Sequence, residues 1–540
     1  MLTWPIYHAF YQSKTLIFVK YPVYKPTYLW YIGNTIKHDG IRKDRMMFKT
    51  KPLAHQLEAF TVCKDKKSFA LLCEQGTGKT KIAIDKSAYL YGKGQINGLL
   101  VIAPNGVHRN WIINEIPKHM PDYACARSAW YASSMKVDER KTYDKLYDPG
   151  SDLRVLAMNI EAVSTEKGRK VAEKFLRTFN THLIVDESSK IKHFSTQRTK
   201  YIIKLGKLAK YKTIATGTPV TQSPLDIFGQ FMFLDEDILE TSSFFIFKAR
   251  YAQLLDESSP ILRHIMQRTG GRRAPQVIAT DKEGRPMYKN LDELQRLIAP
   301  HSFRVLKKDC LDLPDKVYQR RYFELAPEQK AIYKDIKENL RIEFENGDFE
   351  AMSKLTAVLR LQQVTCGFIP GEKGETPIFE KASQNPRIKT LVELLEEVSG
   401  KAIIWARFRK DIQLIHDALE QEYPGQTVLY YGDVSSDDRS KAMKDFQEDD
   451  KIRFFVGTQA AGGTGLTLTA ASTVVYYSNT FSLEDRLQSE DRAHRIGQKN
   501  TVTYYDIEAV DTIDKRIIAA LRMKKDVANL ITKDPLIDWI

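Results

Sequence analysis

Residues 71–80 read "LLCEQGTGKT". An apolar run reaches glycines and then Lys79-Thr80, and the following "TKIAIDKSAYL" has the texture of a helix. That is the setting of a phosphate-binding loop. Strict Walker A spacing would put glycine at position 73, where this chain has Cys73, but Gly76-Thr77-Gly78-Lys79-Thr80 is intact. Backbone N–H groups from Gly76 to Thr80, with the helix N-terminus behind them, would face the β- and γ-phosphates of ATP. Lys79 adds a cation, and the Thr80 hydroxyl suits Mg²⁺. By chance, G-x-G-K-[S/T] occurs in about one chain in fifty of this length.

Outward from the loop, short apolar runs recur: "SFALLC", "GLLVIAP", "RVLAMN", "HLIVDE" and "KTIATG", separated by helix-like stretches. Strands buried on both faces and alternating with helices predict a parallel, doubly wound α/β sheet. A second set, "KAIIWAR", "TVLYYG", "RFFVGT", "STVVYYS" and "TVTYYDI", predicts a second lobe of the same kind. Four regions are expected. Residues 1–45 form a small aromatic-rich, β-rich cap whose aromatics pack its own core, and 46–245 form the first lobe. Residues 246–380 form a basic linker with a helical protrusion, including two helices in 326–366, and 381–540 form the second lobe.

The 540 residues exceed what one core requires, and two to four domains are expected. Lysine and arginine outnumber aspartate and glutamate by 82 to 68, a net charge of +14 that favours a polyanionic partner. Five scattered cysteines contain no C-x-x-C pair, which argues against a zinc site or a disulfide framework. Apolar runs are far shorter than a membrane span needs, and no signal peptide is read. A cytoplasmic or nuclear protein is expected.

A phosphate loop needs an acidic partner. "HLIVDESS" ends a strand on Asp186-Glu187, the first carboxylate suited to Mg²⁺ and the second to the attacking water. Thr216-Gly217-Thr218 ends another strand and, on its own, reads as a turn. In the second lobe Arg492 and Arg495 lie three apart on an expected helix, where they would share a face. Guanidinium groups there could neutralise charge that builds during phosphoryl transfer.

Gln488-x-x-x-Arg492-Ala-His494-Arg495-Ile-Gly-Gln498 resembles the last helicase motif of the Swi/Snf-type ATPases, double-stranded DNA translocases within helicase superfamily two. The likeness runs over about residues 50–520. "KPLAHQLEAF" resembles the adenine-reading element, which implies an adenine contact for Gln56. "LLVIAPNGVHRNW" resembles a motif that touches the DNA backbone, "HSFRVLKKDCLDLPDK" the junction between lobes, and "KAIIWARFRKDIQLI" the first motif of the second lobe. The resemblance implies two RecA-like lobes with ATP between them. It also implies nucleotide contact at Gly465, coupling roles for Thr216, Gly217, Thr218 and Gln488, and DNA contacts at Asn105, Arg109, Arg407 and Thr458.

Three stretches depart from the family pattern: Ser188-Ser189 after the acidic pair, "GLTLTAAS", and "NTFSLED". No phosphate, metal or guanidinium position is lost. The wording is nearest to compact viral or bacterial-type members and to the annealing-helicase branch. "ILRHIMQRTGGRRAP" adds Arg268, Arg272 and Arg273, read either as a phosphate-facing mobile loop or as a solvated surface loop. The expected function is an ATP-dependent translocase on double-stranded or branched DNA, using ATP and Mg²⁺ and acting as a monomer. A strand-separating helicase and an ATP-gated DNA-binding assembly factor are the alternatives.

Overall fold

The structure, a computed structural model, describes residues 48–532 apart from 106, 125, 133, 257, 270–274, 283–284, 346–350, 372–373 and 463–465. The expected cap, Arg272, Arg273, Gly465 and the side chain of Arg268 therefore lie outside the described residues.

The first sheet has seven strands: β1 (Ser68–Leu71), β2 (Gly98–Ala103), β3 (Arg127–Tyr131), β4 (Arg154–Asn159), β5 (Thr181–Asp186), β6 (Tyr211–Ala215) and β7 (Ser302–Phe303). Their order is β3-β4-β2-β5-β6-β1-β7, and every pair is parallel. Successive side chains of a strand point to opposite faces. Accordingly, Leu99, Val101 and Ala103 of β2 enter one core, while Leu100 and Ile102 enter the other.

The connection from β7 leads to β8 (Lys316–Phe323), an edge strand of the second sheet. A small antiparallel hairpin follows, β9 (Phe368–Gly371) with β10 (Gly374–Pro377). The remaining strands are β11 (Ala402–Ala406), β12 (Thr427–Tyr430), β13 (Phe454–Thr458), β14 (Thr473–Tyr476) and β15 (Val502–Ala509). This six-stranded sheet runs β12-β13-β11-β14-β15-β8, again all parallel. Its cores are split in the same way: Ala402, Ile404 and Ala406 of β11 face one side, Ile403 and Trp405 the other.

All ten apolar runs read from the sequence are strands, and 326–366 holds the helices Pro327–Glu345 and Ala351–Cys366. The stretch 246–380 does more than link and protrude, since it supplies one strand to each sheet. β7 has only two residues, and β8 reads "KVYQRRYF", too charged to resemble a buried strand. The basic segment at 261–275 is helical over Pro260–Thr269 rather than a loop from its start.

The second lobe is pinned by Arg387, which is fully buried. Its guanidinium donates to the carbonyls of Thr365 (3.1 Å) and Ile507 (3.3 Å) and to the carbonyl of Tyr477, and it pairs with Asp514. The helical protrusion, the sheet and the helix Ile513–Thr532 thus meet on one charged group.

Candidate nucleotide site between the lobes

In parallel sheets ligands bind beyond the carboxyl ends of the strands. β5, β6 and β1 are adjacent, so their ends bring together three segments: 72–78 after β1, Thr216–Thr218 after β6, and Asp186-Glu187 after β5.

After β1 the chain turns through Gly78, the residue before the helix Lys79–Gly92, at φ +89°. A Cβ there would also lie 2.2 Å from Gln56 Nε2, so only glycine fits. Gln56 Nε2 donates to the Thr77 carbonyl at 3.0 Å, and the His55 ring is 2.8 Å from the same oxygen. The helix Ala54–Cys63 therefore seats Gln56 directly on the loop. Lys79 Nζ donates to the carbonyls of Cys73 (2.9 Å) and Glu74 (3.2 Å). Cys73 turns its buried thiol toward the Phe303 carbonyl, 3.7 Å away, and burial raises that thiol to about 12. The missing Walker glycine is thus replaced by a side chain that packs toward β7.

Thr216 is fully buried, and its hydroxyl accepts from the Thr218 N–H at 3.1 Å. A Cβ on Gly217 would stand 2.9 Å from the Gln75 backbone nitrogen, so this turn is packed against the phosphate loop. Arg304 holds the two together, donating to the Leu72 carbonyl (2.6 Å) and the Gly217 carbonyl (3.1 Å).

Asp186 Oδ2 accepts from Trp111 Nε1 at 2.8 Å, and Oδ1 accepts from the Glu187 N–H at 3.1 Å. Glu187 adopts a left-handed backbone, φ 51°, which is costly for a side-chain-bearing residue and here aims the carboxylate into the cleft. Gln75 Nε2 lies 3.5 Å from its Oε1, while Oε2 is buried without a hydrogen-bond partner. Burial pushes the Glu187 carboxyl up to about 7. The neighbouring Asp186 and Glu484 reinforce the rise, and Lys79 and Arg492 oppose it. Burial likewise raises Asp186.

The second lobe lies against this surface. A methyl group at Gly76 would stand 3.9 Å from Arg495 Cβ and 3.4 Å from Lys307 Cε. Arg492 and Arg495 both direct Nη1 to the Leu466 carbonyl, at 3.4 and 2.7 Å. Burial lowers Arg492 to about 10, which is strong desolvation for a guanidinium. The two arginines are not on a helix, contrary to the sequence expectation. The helix Leu483–Glu490 stops before them: the Arg492 N–H donates to the Ser489 carbonyl at 3.3 Å, three residues back in place of four, and the Arg492 carbonyl accepts from Leu468 N at 2.9 Å. Gln498 fastens the turn, its Nε2 donating to the carbonyls of Ala471 (2.8 Å) and Ala493 (3.2 Å).

Gln488 is buried and lies 3.4 Å from Glu484 Oε1. Glu484 also accepts from the Ser189 hydroxyl at 3.1 Å and pairs with Lys190 at 2.8 Å. Two departures from the family pattern, Ser188-Ser189 and "NTFSLED", therefore meet across the cleft. Ser188 donates to Gln230 Oε1 (2.8 Å), and Gln230 in turn donates to the Pro219 carbonyl (2.7 Å), which ties the acidic pair to the turn after β6.

The expected DNA contacts are dispersed. Asn105 and Arg109 are exposed, with Arg109 5.8 Å from the Trp130 ring centroid. Thr458 closes β13, and its hydroxyl accepts from Ala461 N. Arg407 is partly buried, bonded to Gln362, which reaches the Asn479 carbonyl at 2.7 Å. Sequence reasoning missed Trp111, Gln75, Glu484 and Lys307 as parts of the site. Trp111 was within reach, since it ends the quoted "LLVIAPNGVHRNW". The others carry no pattern of their own.

Two parallel-sheet lobes, with a phosphate loop on one and paired arginines on the other, define the class of helicase-type ATPases. The chain belongs to the SNF2-related family: the profile described as "SNF2-related domain" matches residues 54–367, and "Helicase conserved C-terminal domain" matches 386–497. The chain is similar to mouse (Mus musculus) DNA annealing helicase and endonuclease ZRANB3, 28% identical over 90% of this chain and 41% of that protein. It is also similar to the putative ATP-dependent helicase/translocase YwqA of Bacillus subtilis, 24% identical over 86% of this chain and 46% of that one. Among solved structures it is similar to the Sulfolobus solfataricus SWI2/SNF2 ATPase core in complex with dsDNA, with 23% identity, 91% and 95% coverage and a TM-score of 0.38. The chain spans less than half the length of these curated relatives. No helix among the described residues is long and apolar enough to cross a membrane.

Proposed function

We propose that this chain is an ATP-dependent double-stranded DNA translocase whose DNA-stimulated hydrolysis remodels protein–DNA complexes or branched DNA. The observation that carries this reading is the apposition of two half-sites. The loop at Gly76 and the carboxylate of Glu187 lie on one lobe, against Arg495 and Arg492 of the other.

In this reading the N–H groups of Gly76–Thr80 and the Lys79 ammonium receive the phosphates, and Gln56, already seated on the loop, reads the adenine edge. Glu187 accepts a proton from the attacking water, its raised pKa matching a base that works near neutrality. Arg492 and Arg495 leave the Leu466 carbonyl for the phosphates and offset charge in the transition state. Thr216–Thr218 and Gln488 relay the nucleotide state between the lobes. Both half-sites belong to one chain, so a monomer suffices.

Mg²⁺ fits the donor set. Among the described residues no group of three or more His, Cys, Asp or Glu side chains could enclose an ion. Mg²⁺ needs no such cage, because one carboxylate and a hydroxyl complete its shell with phosphates and water. Asp186 and Thr80 would supply them, and the ion would neutralise phosphate charge.

Duplex DNA as the track is supported by family membership, the net charge of +14 and the relatives' names as an annealing helicase and a helicase/translocase. Phosphate contacts carry no sequence information, so little sequence preference is expected. The test is ATP turnover without nucleic acid and with single strand, duplex, fork and RNA, beside Lys79→Ala and Glu187→Gln. Turnover stimulated most by duplex or fork and lost in both variants supports the reading. Turnover indifferent to DNA defeats it. Displacement of a triplex third strand then separates a moving motor from a static ATP-gated clamp.

A further inference from the structure

Lys307 sits in the junction between the lobes, beyond β7 and before β8, where sequence alone suggests only another basic residue. It is 2% exposed, an unusual place for a lysine. Its backbone N–H donates to Glu74 Oε2 of the phosphate loop at 2.8 Å. Its ammonium donates to Asp491 Oδ1 at 2.6 Å and to the His494 carbonyl at 2.7 Å. These two acceptors bracket Arg492, and His494 directly precedes Arg495. The aliphatic end of the same side chain lies against Gly76. One residue thus grips the loop with its main chain and the arginine turn with its side chain, within a single buried contact.

The geometry points to Lys307 as a positioning residue that holds the arginine turn in register with the phosphate loop, through the Asp491 carboxylate and the His494 carbonyl. This deepens the ATPase reading and rests on it. A buried ammonium satisfied by a carboxylate and a carbonyl has few alternative sites. Small rotations of the second lobe are therefore resisted, and both arginines reach the phosphates in one geometry. Lys316, 3.9 Å from Asp491 and 3.5 Å from Glu490, backs the pair from the second sheet.

The experiment uses the full chain and the variants Lys307→Met, Lys307→Arg, Asp491→Asn and the Met/Asn double. Three quantities are measured: kcat of ATP hydrolysis at saturating duplex, the Kd of a fluorescent ADP analogue, and hydrogen exchange of residues 74–80 and 491–498. Lys307→Met is expected to lower kcat about 10- to 100-fold while the Kd stays within about threefold. Exchange should rise in both segments together. Lys307→Arg should recover a substantial share of kcat, and the double variant should be no slower than the slower single variant, because the residues act as one unit. Losses that multiply in the double variant would overturn the proposal, as would a Kd that rises in step with the fall in kcat. Unchanged exchange in both segments would overturn it too. If the parent chain hydrolyses no ATP, the functional reading fails, and exchange alone decides whether the clamp exists.

Discussion

Trp111 Nε1–H donates to Asp186 Oδ2 at 2.8 Å, and both side chains are buried. The indole comes from the irregular helical segment after β2, so an element outside the acidic strand orients the candidate Mg²⁺ carboxylate. Groups that support a metal ligand tune its affinity.

Replacing Trp111 with phenylalanine should keep the packing and remove the donor. Hydrogen bonds to charged groups contribute about 1.5–3 kcal/mol, so the half-saturating Mg²⁺ concentration for ATP hydrolysis should rise about tenfold or more. A Mg²⁺ titration of turnover at fixed ATP and duplex checks this.

Glu187→Gln should separate activity from stability. Hydrolysis should fall by about 100-fold or more as the proposed base is lost. Stability at pH 8 should rise by about 1–3 kcal/mol, because the buried charge is gone. Burial raises the folded-state pKa of Glu187 from 4.5 to about 7. Between those values the folded chain holds a proton that the unfolded chain has released, so this group's contribution to stability falls as pH rises through that window. Urea unfolding of both proteins at pH 5 and pH 8 should give curves that diverge only at the higher pH.

The pH profile should respond to a residue on the opposite lobe. Glu484 lies close enough to Glu187 to raise its pKa, and removing that charge lowers it. In Glu484→Gln the acid limb of kcat/KM, which the parent should show near 7, is expected to move to lower pH by a fraction of a unit. The plateau rate should also drop several-fold, because the contact with Lys190 across the cleft is broken. A limb that stays in place would mean that the lobes do not approach as described.

Arg387→Met should destabilise the second lobe by about 3–5 kcal/mol, since it strands the buried Asp514 carboxylate and leaves three carbonyls without their donor. The urea transition of the second lobe is the measurement.

Buried parallel strands and the phosphate loop were legible because each has a local signature: a run of β-branched and aliphatic residues, or glycines beside Lys79-Thr80. β3 and β8 were not, because "RSAWY" and "KVYQRRYF" are partly exposed strands with mixed faces. The spacing of three between Arg492 and Arg495 is helical, yet the turn that carries them is not a helix, and its contact with Leu468 is invisible to any local window. The partners Trp111–Asp186, Ser189–Glu484 and Lys307–Asp491 are far apart in sequence, and single-chain patterning offers no cue to them.

Because β7 closes one sheet and β8 closes the other, the safe place to cut this molecule is narrow. A fragment ending near 245 would strip β1 of its outer neighbour, and one starting near 381 would leave all eight paired positions of β15 bare along one side. Exposed backbone of that kind invites strand-to-strand association. Halves made for separate study should be divided between 308 and 314, and the first of them then carries an ammonium whose two acceptors, Asp491 and the His494 carbonyl, stay with the second.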